Sequence, residues 1–266
     1  MGTSSTNNGA DNQVNALAMN GTNNLFVGGS FTSIDGNSIS AKSIASWDGN
    51  SWNILGSNST NNGVDSIVYA LAMNGTNNLF VGGSFTSVNG PSISAYDIAS
   101  WDGNSWNILG SSTINGVDGT VYALAMNGTN QLFVGGYFTL ANGYSISANY
   151  IASWNGSSWS ILGTNLTNNG VNGTSSPAVR ALAMNGTSNL FVGGSFTSVN
   201  GNSISSSNIA SWDGNSWNIL GSNSTNNGIN GGIVNALAMS GTNNLFVGGR
   251  FTSVDGNLIN ASNIIG

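Results

Sequence analysis

ALAMNGTSNLFVGGSFTSVNGNSISSSNIASWDGNSWNILG, residues Ala181 to Gly221, is written four times over in this 266-residue chain and a fifth time in part. The period is marked by methionines: Met19, Met73, Met126, Met184 and Met239 hold one position of the repeat, at spacings of 54, 53, 58 and 55 residues. Self-similarity on this scale signals a solenoid, a propeller or an array, and the content of one unit decides among them. The copies run approximately 14–67, 68–120, 121–178, 179–233 and 234–266, read as one domain over 1–266.

Each unit reads as four short strands, here called a to d. In the first, Val14 to Met19 is an apolar run, Asn20-Gly21 is a hairpin signal, and Leu25 to Thr32 is rich in β-formers. A looser loop, Ser33 to Ala41, leads to Ser43–Trp47, and Asp48-Gly49-Asn50 turns the chain into Ser51–Leu55. Strand a is apolar on both faces apart from Asn15, as expected of a strand packed between two neighbours. Strand b carries Gly28-Gly29, repeated as Gly82-Gly83, Gly135-Gly136, Gly193-Gly194 and Gly248-Gly249, where a bulge or a close backbone approach is expected. Three tightly joined connections make a meander, and the long polar link from d to the next a (Gly56 to Asp65) is a crossing between blades. The pattern predicts an all-β, five-bladed β-propeller of four-stranded antiparallel blades. The fifth copy stops at Asn263-Ile264-Ile265-Gly266, so that blade is expected to be incomplete, with a stub of c and no Trp-bearing strand d.

Composition narrows the function. Only 5% of residues are charged, against about 25% in ordinary soluble domains. Every acid is Asp, the bases are Lys42, Arg180 and Arg250, and the net charge is −6. A chain with three cations has little with which to replace the counterions of a phosphate backbone, so nucleic acid is not an expected partner. Without Cys there is no disulfide framework or thiolate metal site, and no run of about 20 apolar residues spans a bilayer. No signal peptide is visible; Met1-Gly2-Thr3 aligns with Leu162-Gly163-Thr164, so the chain is expected to begin at a repeat boundary, as a portion of a longer precursor would.

The elements LFVGGSFT, IASWDGNSW and NILG resemble the repeats of bacterial and viral propeller proteins related to the fungal Rax-type polarity-marker family, and more distantly kelch repeats. The shared parts are Gly28-Gly29, Trp47 in strand c and Trp52 early in strand d. The resemblance implies a propeller and carries no kelch function, because Trp-Asp-Gly stands where kelch favours Tyr-Asp and Ser-Phe-Thr follows the glycines.

Neither His nor Cys is available for catalysis, and comparison of the copies tests the acids. Asp48, Asp102 and Asp213 follow the strand-c Trp, but the third copy has Asn155 there, which suits a tight turn and cannot serve as a base. Asp35 and Asp255 lie in the b–c loop, where other copies have Asn89, Asn142 and Asn200; calcium would need 6–8 oxygens or so and clustered carboxylates. No catalytic residue, cofactor or metal is expected.

The eight tryptophans form pairs separated by four residues across the c–d turn: Trp47 with Trp52, Trp101 with Trp106, Trp154 with Trp159, and Trp212 with Trp217. They read either as packing between blades or as exposed aromatic platforms for sugars. Sequons stand at Asn20, Asn58, Asn74, Asn127, Asn155, Asn165, Asn172, Asn185, Asn223 and Asn260, glycan acceptors if the chain is exported. The leading expectation is a non-catalytic assembly subunit of an extracellular or surface fibre, tube or lattice, a homo-oligomer or polymer. The alternative is a multivalent lectin using the Trp pairs, and a non-assembling interaction propeller stands third. The open edge of the short fifth blade is expected to be covered by another chain or by the polar N-terminal segment, in a repeating homomeric contact.

Overall fold

A computed structural model describes residues 8–21, 24–75, 78–111, 115–128, 131–173, 175–186, 189–225, 227–241, 244–255, 259–260 and 264–265. They form antiparallel β-structure throughout, with a single 3-10 turn, Gly90–Ser92, at Pro91. The chain divides into two compact units, Met1–Val121 and Tyr122–Gly266.

Four sheets have four strands each in the order a-b-c-d, the first being Val14–Asn20, Asn24–Gly29, Ile44–Trp47 and Trp52–Ile54. A fifth, Ile233–Ser240, Asn244–Arg250 and Ile264–Ile265, has three. Among the described residues the sheets number ten, so their count alone does not return the five blades expected from the five copies. The other five are small sheets at the b–c corners, such as Ser33–Ile34 with Ile39–Ser40, where the sequence reads as a loose loop. In two corners the d-to-a link adds a third short strand, Val171–Asn172 and Ile229–Asn230.

Strand a pairs with b out to Asn20 and Asn24, the hairpin that Asn20-Gly21 signals. The expected irregularity at the glycine pair is present: the register shifts between Val14 and Ala16, opposite Gly28 and Gly29, and likewise between Val68 and Ala70, Val179 and Ala181, and Val234 and Ala236. The shift turns Asn15 out of the alternation, and its side-chain amide donates to the Val68 carbonyl of the next copy at 2.9 Å.

Both faces of strand a are used. In the first unit Val68, Leu79 and Val81 of the second sheet form one core with Phe26, Ile44 and Leu55 of the first, flanked by Leu71 and Met73. In the second unit Val179, Leu190 and Val192 pack in the same way on Phe133, Ile151 and Leu162, and Val234 and Val247 on Ile209. Val68, Val179 and Val234 thus enter the sheet of the preceding copy, and Ala181 and Ala183 on the other face of their strand are buried as well.

The two glycines of strand b serve two different contacts. A Cβ on Gly28 would lie 2.5 Å from Val68 Cγ1, and on Gly193 2.5 Å from Val234 Cγ1, so the first glycine admits the neighbouring valine. On Gly194 it would lie 2.0 Å from the Ala178 carbonyl oxygen, so the second glycine admits the bulged backbone of its own sheet. Gly186, at φ +56 in the a–b turn, has open space around it. Gly186→Ala should therefore cost only the left-handed backbone penalty of about 1 kcal/mol. Gly194→Ala should cost on the order of 3 kcal/mol or more, because rigid backbone must move. Thermal melting followed by circular dichroism should place Gly194→Ala well below Gly186→Ala, at about 2–4 °C per kcal/mol for a chain of this size.

Candidate functional site

The tryptophans meet as cross-strand partners, Trp47 opposite Trp52, Trp101 opposite Trp106, Trp154 opposite Trp159 and Trp212 opposite Trp217. The rings of each pair sit 5.4–5.5 Å apart at 54–62°, the edge-on geometry that suits ring quadrupoles. Seven of the eight are between 5% and 9% exposed, and Trp47 is half-buried. The indole N–H of Trp106 donates to the Leu55 carbonyl at 2.9 Å, and that of Trp217 to the Leu162 carbonyl at 2.9 Å, each reaching the preceding copy. This geometry favours packing between sheets and leaves the rings little free surface for a sugar face.

Polar groups gather at the mouth of one inter-sheet cleft. In the first unit a cleft of about 480 Å³ is lined by Asn20, Asn24, Asp48, Asn53, Trp101 and Asp102. It offers amides, carboxylates and the rim of one indole, a donor and acceptor set that suits hydroxyls.

The aspartates are engaged by the backbone. Asp48 Oδ1 accepts from the N–H groups of Asn50 and Ser51 at 2.9 and 2.7 Å, and Oδ2 from the Ser51 hydroxyl and the Asn53 amide. The Ser51 N–H, foremost among these donors, holds the carboxyl below the usual carboxylate range. Asn155 accepts the same two main-chain bonds from Ser157 and Ser158 at 3.0 and 2.9 Å, so the turn works without a charge. In the b–c corners Asn89, Asn200 and Asp255 accept from the N–H of Ser57, Thr164 and Ser222, each in the preceding copy's link. Asp35 is buried in its left-handed corner position. Among the described residues no group of three or more acidic, His or Cys side chains could hold a metal ion.

Two roles were not readable from residue type. Asp11 and Asp65 brace the start of strand a by accepting from Thr32 and Thr86, both main-chain N–H and hydroxyl. The Thr32 hydroxyl is the main cause that takes Asp11 down to about 2. Asp97 occupies a left-handed position taken by Ser43, Tyr150 and Asn208 in other copies. Burial, with Asp118 and Asp65 nearby, pushes its carboxyl up to about 7 even though the Phe85 N–H donates to it. Asn208 at the same place accepts from the Phe196 N–H and donates to the Ile229 carbonyl, so an amide satisfies the site better than a charge.

The sequons sort by exposure. Asn58, Asn155, Asn165 and Asn223 are exposed, and in Asn58, Asn165 and Asn223 the sequon threonine donates to the Asn Oδ1. Asn20, Asn74, Asn127 and Asn185 end strand a and are half-buried; the Asn172 amide nitrogen is buried. The Asn260 side chain lies outside the described residues.

Two outcomes follow. A carboxyl raised in the folded state binds protons that the unfolded chain has released, so stability should fall as pH rises from the ordinary carboxyl value of 3.8 through about 7. Asp97→Asn should remove that slope and melt higher than the parent at pH 8, with little difference at pH 3.5; identical melting curves at both would overturn the assignment. Expressed through a eukaryotic secretory pathway, the chain should carry glycans at Asn58, Asn155, Asn165 and Asn223 and none at Asn172, as read by peptide mass spectrometry.

No family model matches the chain, and no curated protein is significantly similar to it in sequence. Solved structures do match its fold. The extracellular domain of the one-component system BT4673 of B. thetaiotaomicron superposes with a TM-score of 0.54 at 12% identity, over 90% of this chain and 25% of that one. The WD40 repeats of RRP9 match at a TM-score of 0.43 and 11% identity, over 96% and 94%. This chain spans about a quarter of the length of the BT4673 domain. The likeness to the BT4673 domain concerns fold alone, and neither the Rax-type nor the kelch name is carried by it; the β-propeller type of the repeats is read from this chain's own recurring four-stranded antiparallel sheets.

Proposed function

We propose that the chain is a non-catalytic assembly subunit of an extracellular or surface structure, with each of the five copies acting as one blade. The observation that carries the reading is the bare face of the first sheet. Val14 is 43% exposed, Leu17 62% and Met19 51%, whereas Val68, Val179 and Val234 at the first of these positions are fully buried on the preceding copy. The Trp52 indole N–H belongs to the same face. It is buried without a partner among the described residues, where Trp106 and Trp217 each reach a leucine carbonyl of the preceding copy.

The complementary face is that of the fifth sheet, where Ala236 and Ala238 are exposed, Phe246 is 44% exposed and a Cβ on Gly248 would meet only Ala236. A second copy placing its first sheet on this face would repeat the contact already made between sheets within each unit. Such a contact joins two different patches and propagates into rings or open filaments. Twelve charged residues in 266 offer little repulsion between copies. The extracellular setting is supported by the exposed sequons; the BT4673 domain is itself extracellular.

The lectin reading keeps one specific support, the cleft beside Trp101 with its amides and carboxylates, and a glycan array would test it. For assembly, sedimentation velocity and negative-stain microscopy at rising concentration should show head-to-tail species that persist from about 0.05 to 0.5 M salt, because the contact is apolar. The double variant Leu17→Lys, Met19→Lys should remain monomeric with an unchanged melting temperature, since both side chains are exposed. A parent chain that stays monomeric, or a double variant that assembles equally, would overturn the proposal.

A further inference from the structure

In the second unit a polar cleft of about 320 Å³ opens between the b–c corner of the fourth copy and the link into the fifth, lined by Ser195, Phe196, Thr197, Ser207, Asn208 and Asn230. The first unit has the same cleft, of about 430 Å³, between its first corner and the link into the second copy, with Ser30, Phe31, Thr32, Lys42, Ser43 and Asp65 at the matching positions. Small-ligand sites have volumes of about 300–1,000 Å³. Recurrence at matching residues makes the cleft a product of the fold, and the second unit removes both charges from it: Ser207 stands in place of Lys42, and Asn230 in place of Asp65.

The exchange of Asp65 for Asn230 also frees a side chain. Asp65 commits its carboxylate to its own copy, accepting from the Thr86 N–H and hydroxyl and from the Ser87 N–H. In the fifth copy the corresponding threonine, Thr252, donates its N–H to the Asn230 main-chain carbonyl at 3.1 Å. The Asn230 amide is thereby released from bracing, and its Nδ2 is buried without a partner among the described residues. Buried N–H groups are nearly always paired in folded proteins. Asn208, beside it, is already satisfied: Oδ1 accepts from the Phe196 N–H at 3.1 Å and Nδ2 donates to the Ile229 carbonyl at 2.7 Å. Asn172 is released as Asn230 is, since the Thr197 N–H goes to its main-chain carbonyl at 2.8 Å. At the third corner, however, Tyr137 and Tyr150 replace Ser195 and Asn208, with their rings 6.1 Å apart.

We infer that the cleft of the second unit binds one residue of a neutral sugar, with Asn230 Nδ2 donating to a sugar oxygen and the hydroxyls of Ser195, Thr197 and Ser207 exchanging hydrogen bonds with its hydroxyl groups. No charged side chain lines this cleft, so it favours neither an anion nor a cation. Serine and threonine hydroxyls both donate and accept, which matches a ligand whose groups do the same. One site per chain follows, because Asp65 offers no N–H in the first unit and rings replace the hydroxyl and amide at the third corner. The site shares no residue with the cleft beside Trp101 or with the faces that the assembly proposal uses.

The test is a titration of the isotope-labelled full chain with the methyl glycosides of glucose, galactose and mannose, following the Asn230 side-chain amide and the Trp101 indole by NMR. At least one sugar should shift the Asn230 amide saturably and with one-to-one stoichiometry. Asn230→Asp restores the residue type that the second copy carries as Asp65, so it should keep the parent's melting profile and bind that sugar about tenfold more weakly, having lost its donor. A shift confined to the Trp101 indole would overturn this site while leaving the lectin reading of the other cleft standing. No saturable shift at Asn230 with any of the three sugars, or equal affinity of a folded Asn230→Asp, overturns the proposal. The Asn230 signal of the parent decides the matter if the variant does not fold.

Discussion

The close approach of a valine on one sheet to a glycine on its neighbour is the contact on which the remaining packing depends. A Cβ on Gly28, Gly135 or Gly193 would fall 2.4 to 2.5 Å from the facing valine, so the sheets meet at a separation that no other residue allows. Complete burial of one valine contributes about 1.5–3 kcal/mol. Its larger effect is on registration: once Val68 or Val234 is seated, Leu71 or Leu237 and the strand-b leucine fall into place beside it. The bulge in strand a serves the same contact, because it turns the valine out of strict alternation and lets its own carbonyl neighbour press on the second glycine.

A nearly uncharged chain still has to satisfy its backbone in many turns and corners, and it does so with amides. The c–d turn accepts Asp in three copies and Asn155 in one, with the same pair of main-chain donors. The b–c corner is tied to the preceding link by Asn89, Asn200 or Asp255. Below the corner, Asn62 and Asn169 are fully buried and hold three or more backbone bonds between them and the adjacent strands. The side-chain oxygen does the work in each case. Charge is incidental, and at Asp97 it is unfavourable.

Strands a to d and the pairing of the tryptophans were legible because alternation and turn chemistry act over a few residues: Trp47 and Trp52 face each other across Asp48-Gly49-Asn50 as the spacing requires. The small corner sheets were not, because Ser33–Ile34 and Ile39–Ser40 are too short and too polar to show a period. Nor was the fate of the tryptophans. An indole suits a packed interface and a sugar platform equally, and the choice is made by a carbonyl 51 residues away in Leu55. The bracing role of Asp11 and Asp65 was hidden for the same reason, since their partners lie 21 and 22 residues downstream. The turn role of Asp48, Asp102 and Asp213 was legible from comparing copies, since Asn155 accepts the same main-chain bonds in the third.

In a repeat protein stability is close to a sum of sheet terms and neighbour terms, so the marginal repeats each lack part of the second. Here the deficit can be located atom by atom. The first sheet has the valine, leucine and methionine of the contact without the glycine face they enter, leaving Val14 at 43% exposure where its counterparts are at zero. The fifth has the glycine and phenylalanine without, among the described residues, the side chains that cover them elsewhere. The first and fifth copies keep the same apolar residues as the middle ones, and in the assembly proposed above the exposed Val14, Leu17 and Met19 would make, with a second copy, the contact that Val68 and Val234 make within each unit.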